Sequence, residues 1–138
     1  MDGATPLAMA DALARLKQGK LLSAGTTEHM LSIMSHTKTG PRRLRGGLER
    51  GWSLSHKTGT GQILDGEQAG YNDVGILTSP GGKGYAVAVL IGRTSRPLRE
   101  RMALMQEVVD ATIDYDSKLN AQQAEATQPR NDSSVTLQ

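Results

Sequence analysis

Apolar positions recur at helical spacing through Leu7, Ala10, Leu13 and Ala14, behind Thr5-Pro6, a capping residue followed by the first-turn proline that helices tolerate. The spacing predicts a helix over about 6 to 18, stopped by Gly19. A second helix is expected after Gly25, with Thr26 or Thr27 as its cap. Met30, Leu31, Ile33 and Met34 form its apolar stripe, and it ends before Gly40-Pro41. Residues 39 to 51, TGPRRLRGGLERG, hold four glycines, one proline and four arginines, the composition of a surface loop or broken helix.

The period then changes. Trp52, Leu54 and His56 alternate with Ser53, Ser55 and Lys57, the two-residue repeat of a half-buried strand. GTGQILDGEQAG reads as a polar connection, and YNDVGILTS as a buried strand. SPGGKG reads as a hairpin turn, and YAVAVLIGRT as the most strand-like segment of the chain. Short connections predict that the three strands pair as an antiparallel meander. Ser95 is the expected cap of a last helix with Pro97 in its first turn. Its stripe of Leu98, Met102, Met105, Val108, Val109 and Ile113 lies across the sheet. Beyond Tyr115 the apolar residues thin out without a period, so residues 1 to 115 are expected to form the folded part and residues 116 to 138 a disordered tail. The fold class is therefore α/β in the broad sense (α+β): a three-stranded antiparallel meander with flanking helices. The first strand needs a neighbour on its other side, as part of a larger unit.

Composition changes this picture little. A chain of 138 residues is sized for one domain, and with no Phe, one Trp and three Tyr its core must be aliphatic. Cysteine is absent, which excludes disulfides and thiolate chemistry. No apolar run is long enough to span a bilayer, and the first twenty residues lack the basic-then-apolar pattern of an export signal. His29, His36 and His56 have no metal-ligand spacing with carboxylates and read as surface or strand histidines; neither metal nor cofactor is expected. The net charge of +2 comes largely from KTGPRRLR. Arg42, Arg43, Arg45 and Arg50 would suit a small module binding nucleic acid or another anionic surface, although stacking aromatics are nearly absent.

Candidate chemistry centres on a tripeptide that occurs twice. Lys38-Thr39-Gly40 precedes a proline and is expected at the end of the second helix, where a cation suits the negative pole of the helix dipole. Lys57-Thr58-Gly59 ends a strand and is followed by Thr60. There an ammonium group beside hydroxyls suits a substrate carboxylate. Gly59 lets a ligand approach the backbone, and the Thr60 N–H suits a developing oxyanion. The second copy is therefore the expected site.

From Thr5 to about Ile113 the chain resembles the C-terminal part of class A β-lactamases, penicillin-recognising serine hydrolases. The resemblance rests on TPLAMADAL, TGPRRLRGGLERGW, HKTGTG and YNDVGIL in that order, and on the closing strand and helix. It implies the C-terminal part of a β-lactamase/transpeptidase-like fold and hydrolysis through an acyl-serine. Lys57 would stand beside the reacting serine, Thr58 and Thr60 would meet the substrate carboxylate, and Gly59 would leave room for the substrate. The Thr60 N–H would be one oxyanion donor. Arg43 would supply the guanidinium that clamps the carboxylate; a solvated arginine in a basic loop is the alternative.

The family's Ser-x-x-Lys, Ser-Asp-Asn and deacylation glutamate find no suitable match. Ser35-His36-Thr37-Lys38 has the right letters but lies at a helix end, too close to Lys57. This chain alone is expected to be inactive and to need the N-terminal half of the same domain as its partner, with a β-lactam or peptidoglycan-like molecule as substrate. A D,D-peptidase or esterase of the same family shares these features. The complete protein would be periplasmic or secreted, with no membrane or nucleic-acid partner.

Overall fold

The structure, a computed structural model, describes residues 3–127. Helix α1 (Pro6–Lys17) forms as its sequence predicts, with Thr5 Oγ1 accepting from the Ala8 N–H at 3.1 Å and Pro6 in the first turn. Helix α2 spans Ala24–Ser35. Its cap is Ser23, whose Oγ accepts from the Thr26 N–H at 3.3 Å, so the expectation of Thr26 or Thr27 after Gly25 is corrected. A capping hydroxyl worth about 1 kcal/mol offsets the similar cost of a glycine inside the first turn. Thr27 and Met34 are its buried residues, while Met30 and Ile33, expected in the stripe, are exposed.

A 3-10 turn at Leu44–Gly47 interrupts the arginine-rich loop. Strand β1 (Ser53–Thr60) then pairs antiparallel with β3 (Glu67–Thr78), Ser53 opposite Thr78 and Thr60 opposite Tyr71. Strand β4 (Gly84–Thr94) pairs with the other edge of β3, completing the meander. The polar connection between the first two strands is largely strand. Ile63–Leu64 forms a short β2 against Gln68 and Glu67, and β3 begins at Glu67. Pairing across the hairpin overrides the low strand propensity of its Glu, Gln and Gly residues. Gly75 opposes His56 so closely that an added Cβ would stand 2.4 Å from the Ser55 carbonyl oxygen and 2.7 Å from the His56 Cβ. A larger residue there would part β1 from β3.

Alternation along the strands splits the core in two. Leu54, Tyr71, Leu77, Val87 and Val89 pack on one face with Leu44 and with Met105, Val109 and Ile113 of helix α3 (Leu98–Thr127). On the other face Ile76 packs with Leu13, Leu16 and Met34 of α1 and α2. Of the expected stripe of α3, Met105, Val109 and Ile113 are buried, Met102 and Val108 are partly buried, and Leu98 at its start is exposed. The expected Ser95 cap makes no side-chain hydrogen bond to the helix; the Thr94 hydroxyl accepts from the Arg96 N–H in the turn ahead of it, and Pro97 stands immediately before the helix.

Residues 116–127 are not a tail: they continue α3, and the rest of the expected tail lies outside the described residues. Polar contacts replace the missing apolar stripe. Tyr85 donates to Asp116 Oδ1 at 2.6 Å, Asn120 Nδ2 donates to Asp116 Oδ2 at 3.0 Å, and Lys83 Nζ donates to Asn120 Oδ1 at 2.6 Å. No helix among the described residues is long and apolar enough to cross a membrane.

Burial of the Tyr85 phenol, its hydrogen bond to Asp116 and that carboxylate's charge push its pKa up to about 12 from 10.0. The folded state thus holds a proton that the unfolded chain releases near 10. The stabilisation is complete below pH 10 and disappears as pH rises through 12. Ultraviolet titration should show a late-ionising phase that is lost in Tyr85→Phe. The outer edge of β4 has no strand partner among the described residues, and Ile33 and Leu7 are exposed on the helices. The isolated chain should therefore self-associate. Sedimentation at several concentrations checks this, and a monomeric mass throughout would contradict it.

Candidate active site

Backbone geometry at the end of β1 follows from the ladder. The Gly61 N–H donates to the Gly70 carbonyl at 2.8 Å, which makes 61 and 70 a hydrogen-bonded pair. Antiparallel pairs alternate, so Thr60 and Tyr71, Thr58 and Asp73, and His56 and Gly75 are non-bonded pairs. The N–H and C=O groups of His56, Thr58 and Thr60 therefore point away from β3, towards the open edge. Two contacts agree: the His56 carbonyl accepts from Thr37 Oγ1 at 2.6 Å, and the Thr58 carbonyl accepts from Lys57 Nζ at 2.7 Å.

Side chains alternate as well. Lys57 and Gly59 lie on the α1/α2 face, and Lys57 is exposed. A Cβ built on Gly59 would meet only Asn72 side-chain atoms, at 3.7 Å, so the protein's own packing does not demand glycine there. Thr58 and Thr60 lie on the α3 face with His56, and Arg43 reaches Thr60. Only 8% exposed, Arg43 donates through Nη1 to the carbonyls of Asn72 at 2.7 Å and Gly59 at 3.1 Å, and through Nη2 to Thr60 Oγ1. Its guanidinium carbon lies 3.8 Å from the Tyr71 ring centroid. Arg43 is thus no solvated loop arginine. A cavity of about 390 Å³ opens beside it, lined also by Pro41, Thr60, Gln68, Tyr71 and Met102. The structure joins Thr60 and Arg43 at this hollow, while Lys57, Thr58 and Gly59 lie outside its lining.

Beneath the threonines is a buried polar centre that periodicity did not reveal. Asp73 and His56 are fully buried, with His56 Nδ1 2.8 Å from Asp73 Oδ1, and the Leu44 N–H donates to Asp73 Oδ2 at 3.2 Å. The tautomer carrying its proton on Nδ1 satisfies the pair and leaves Nε2 as a bare lone pair rather than an unpaired donor. His56 is therefore a core residue bound to a carboxylate, not a surface histidine. The signal was present as Asn72-Asp73, an acidic residue inside an apolar strand.

The first tripeptide is corrected too. Helix α2 ends at Ser35, so Lys38-Thr39-Gly40 is not a helix terminus. It runs beside Lys57-Thr58-Gly59, with Thr39 Oγ1 2.6 Å from Thr58 Oγ1. Gly40 permits the approach: its φ is +64°, and a Cβ there would stand 2.7 Å from Thr58 Cγ2 and 2.9 Å from Arg43 Cδ. Ser35 Oγ donates to the Ser32 carbonyl at 2.7 Å. No three His, Asp or Glu side chains gather as a metal-binding group among the described residues.

The strand ending in Lys-Thr-Gly-Thr is thus backed by a buried arginine, with α1 and α2 on one face of the sheet and α3 on the other. The profile of the Beta-lactamase enzyme family matches residues 2–115, and the chain belongs to that family. It is 33% identical over 109 residues to the extended-spectrum β-lactamase PER-1 of Pseudomonas aeruginosa, covering 79% of this chain and 35% of that protein. A crystal structure of a β-lactamase from Chitinophaga pinensis superposes with a TM-score of 0.77 at 34% identity, covering 82% of this chain and 42% of the other. A variant of PBP-A, solved as an acyl-enzyme complex with penicillin G, superposes with a TM-score of 0.69 at 27% identity, over 83% of this chain and 40% of the other. The chain thus spans well under half the length of the relatives it matches.

Asp73→Ala should destabilise the fold by about 2–4 kcal/mol, because it strands two buried donors, His56 Nδ1 and the Leu44 N–H. Urea unfolding checks this: the midpoint falls, and Asp73→Asn, which keeps one acceptor, falls less.

Proposed function

We propose that this chain supplies the Lys-Thr-Gly wall of a class A β-lactamase-like serine hydrolase, which in complete form opens a β-lactam amide through an acyl-serine intermediate. The observation that carries this reading is Thr60: its N–H points to the open edge while Arg43 donates to its hydroxyl oxygen. Lys57 acts by placing an ammonium charge beside the reacting serine. The Thr60 N–H is an oxyanion donor, and the free space at Gly59 admits the substrate against the strand. Thr58 and Thr60 receive the substrate carboxylate.

Arg43 has a narrower role in this reading than that of a direct clamp. Its fork is committed to two carbonyls and one hydroxyl, so it acts mainly by holding Thr60. Because Arg43 only donates, Thr60 must accept, and its own proton is free for an anion.

Residues 1 to 115 form this part of the hydrolase domain. The reacting serine, its lysine and the water-activating glutamate are not assigned to any residue of the chain, so the chain by itself does not turn over a β-lactam. Its partner is the remaining half of the same domain, and its compartment is the periplasm or the exterior. A second reading is a D,D-peptidase or esterase of the same family, which would share an acyl-enzyme step such as the one captured with penicillin G in the PBP-A variant.

In a protein completed with that half, Lys57→Ala should lower kcat/KM by about a hundredfold or more, the scale of losing one preorganised electrostatic group. Lys38→Ala should leave kcat/KM nearly unchanged. Hydrolysis of a chromogenic cephalosporin measures both, and equal losses at the two lysines would reverse the choice of tripeptide.

A further inference from the structure

The two Lys-Thr-Gly copies lie side by side in parallel alignment. Thr37 meets His56, and two residues on Thr39 meets Thr58. The Thr37 contact has a plain structural purpose, covering an outward carbonyl of an edge strand. The Thr39 contact joins two hydroxyls at the strand's functional end, one of them expected to bind an anion.

We infer that Thr39 is a positioning residue for the anion site, donating to Thr58 Oγ1 so that the Thr58 proton is presented to a substrate carboxylate. This rests on the reading above of Thr58 and Thr60 as carboxylate-binding groups, and it extends that reading to a residue outside the second tripeptide.

A hydroxyl has one proton and two lone pairs. If Thr58 donates to Thr39, its proton is unavailable to a ligand; if Thr39 donates to Thr58, the proton is free. A carboxylate, which only accepts, selects the second arrangement. Thr60 is already held this way, because Arg43 can only donate to it. Thr39 therefore serves Thr58 as Arg43 serves Thr60, and two outward hydroxyl protons two residues apart face one anion from the same side of β1. Each donor in such a chain polarises the next, which strengthens the bond to the charged ligand. The neutral Thr39 lets Thr58 change roles, whereas Thr60 is fixed, so discrimination between anion and neutral ligand depends on Thr39. Gly40 is what brings Thr39 this close, since a side chain there would collide with Thr58 and Arg43.

The test is nuclear magnetic resonance of the full 138-residue chain, with labelled threonine methyl groups and amides, titrated with benzylpenicillin and separately with its methyl ester. The wild type should show saturable shifts at Thr58 and Thr60 with the acid and far weaker ones with the ester. Thr39→Val should weaken binding of the acid about fivefold to tenfold, the worth of one hydrogen bond to a charged group's donor. Thr39→Ser should restore it, and Lys38→Ala should leave it unchanged. Dispersed spectra confirm that each variant is folded.

Unchanged acid binding in Thr39→Val overturns the inference while leaving the carboxylate site intact. A Thr39→Ser variant as weak as Thr39→Val also overturns it, because the methyl contact and not the hydroxyl would then be responsible. Equal loss for acid and ester has the same force. An absence of any response at Thr58 and Thr60 in the wild type overturns both the inference and the carboxylate reading beneath it.

Discussion

The Asp73 carboxylate is the constraint on which the site depends. It lies fully buried on the central strand and accepts from His56 of the edge strand and from the backbone of Leu44. A buried carboxylate without partners is costly, so these two donors are required by the fold rather than added to it. Through them, three segments far apart in sequence are held at one point: the edge strand, the central strand and the turn that follows Arg43. The distance between Arg43 and Thr60 is a consequence of that junction.

Around this junction the site is assembled from the strand edge outwards. The ladder sends the amides of His56, Thr58 and Thr60 to the open side, and the residues from Thr37 to Gly40 run along it. Lys57 on one face and the threonines on the other give the strand end two chemistries, an exposed cation bonded to the Thr58 carbonyl and a pair of hydroxyls in contact with Thr39 and Arg43. In the proposed hydrolase this bracing would matter because preorganised dipoles stabilise developing charge without reorganising, whereas a free side chain must first be ordered. A strand is a suitable scaffold for this, since pairing along its length fixes each group.

Period-2 alternation placed the first long strand and with it Lys57-Thr58-Gly59-Thr60, apolar β-branched runs placed the other two, and the short connections between them gave the antiparallel order. Helix α1 was equally legible because Thr5 and Pro6 are local signals that act within one turn. Two departures share a cause. The short β2 within the polar hairpin and the helical residues 116–127 depend on partners that local reading undervalues, whereas the Ser23 cap of α2 acts within one turn. In α3 those partners are Tyr85 and Lys83 on another element, whose hydrogen bonds replace an apolar stripe. Alternation with Leu54 put His56 on the buried face of its strand, but its pairing with Asp73 was hidden for the same reason, because that partner stands on another strand.

The amino-acid sequence by itself determined the elements, their faces and the motif with the reactive letters, because those depend on spacing along the chain. The tertiary structure decided which of the identical tripeptides reaches which hydroxyl, that Arg43 braces rather than floats, and that His56 is paired in the core. Those outcomes depend on where hydrogen bonds close between segments, and such bonds are short and directional: they exist only once packing has brought donor and acceptor within about 3 Å.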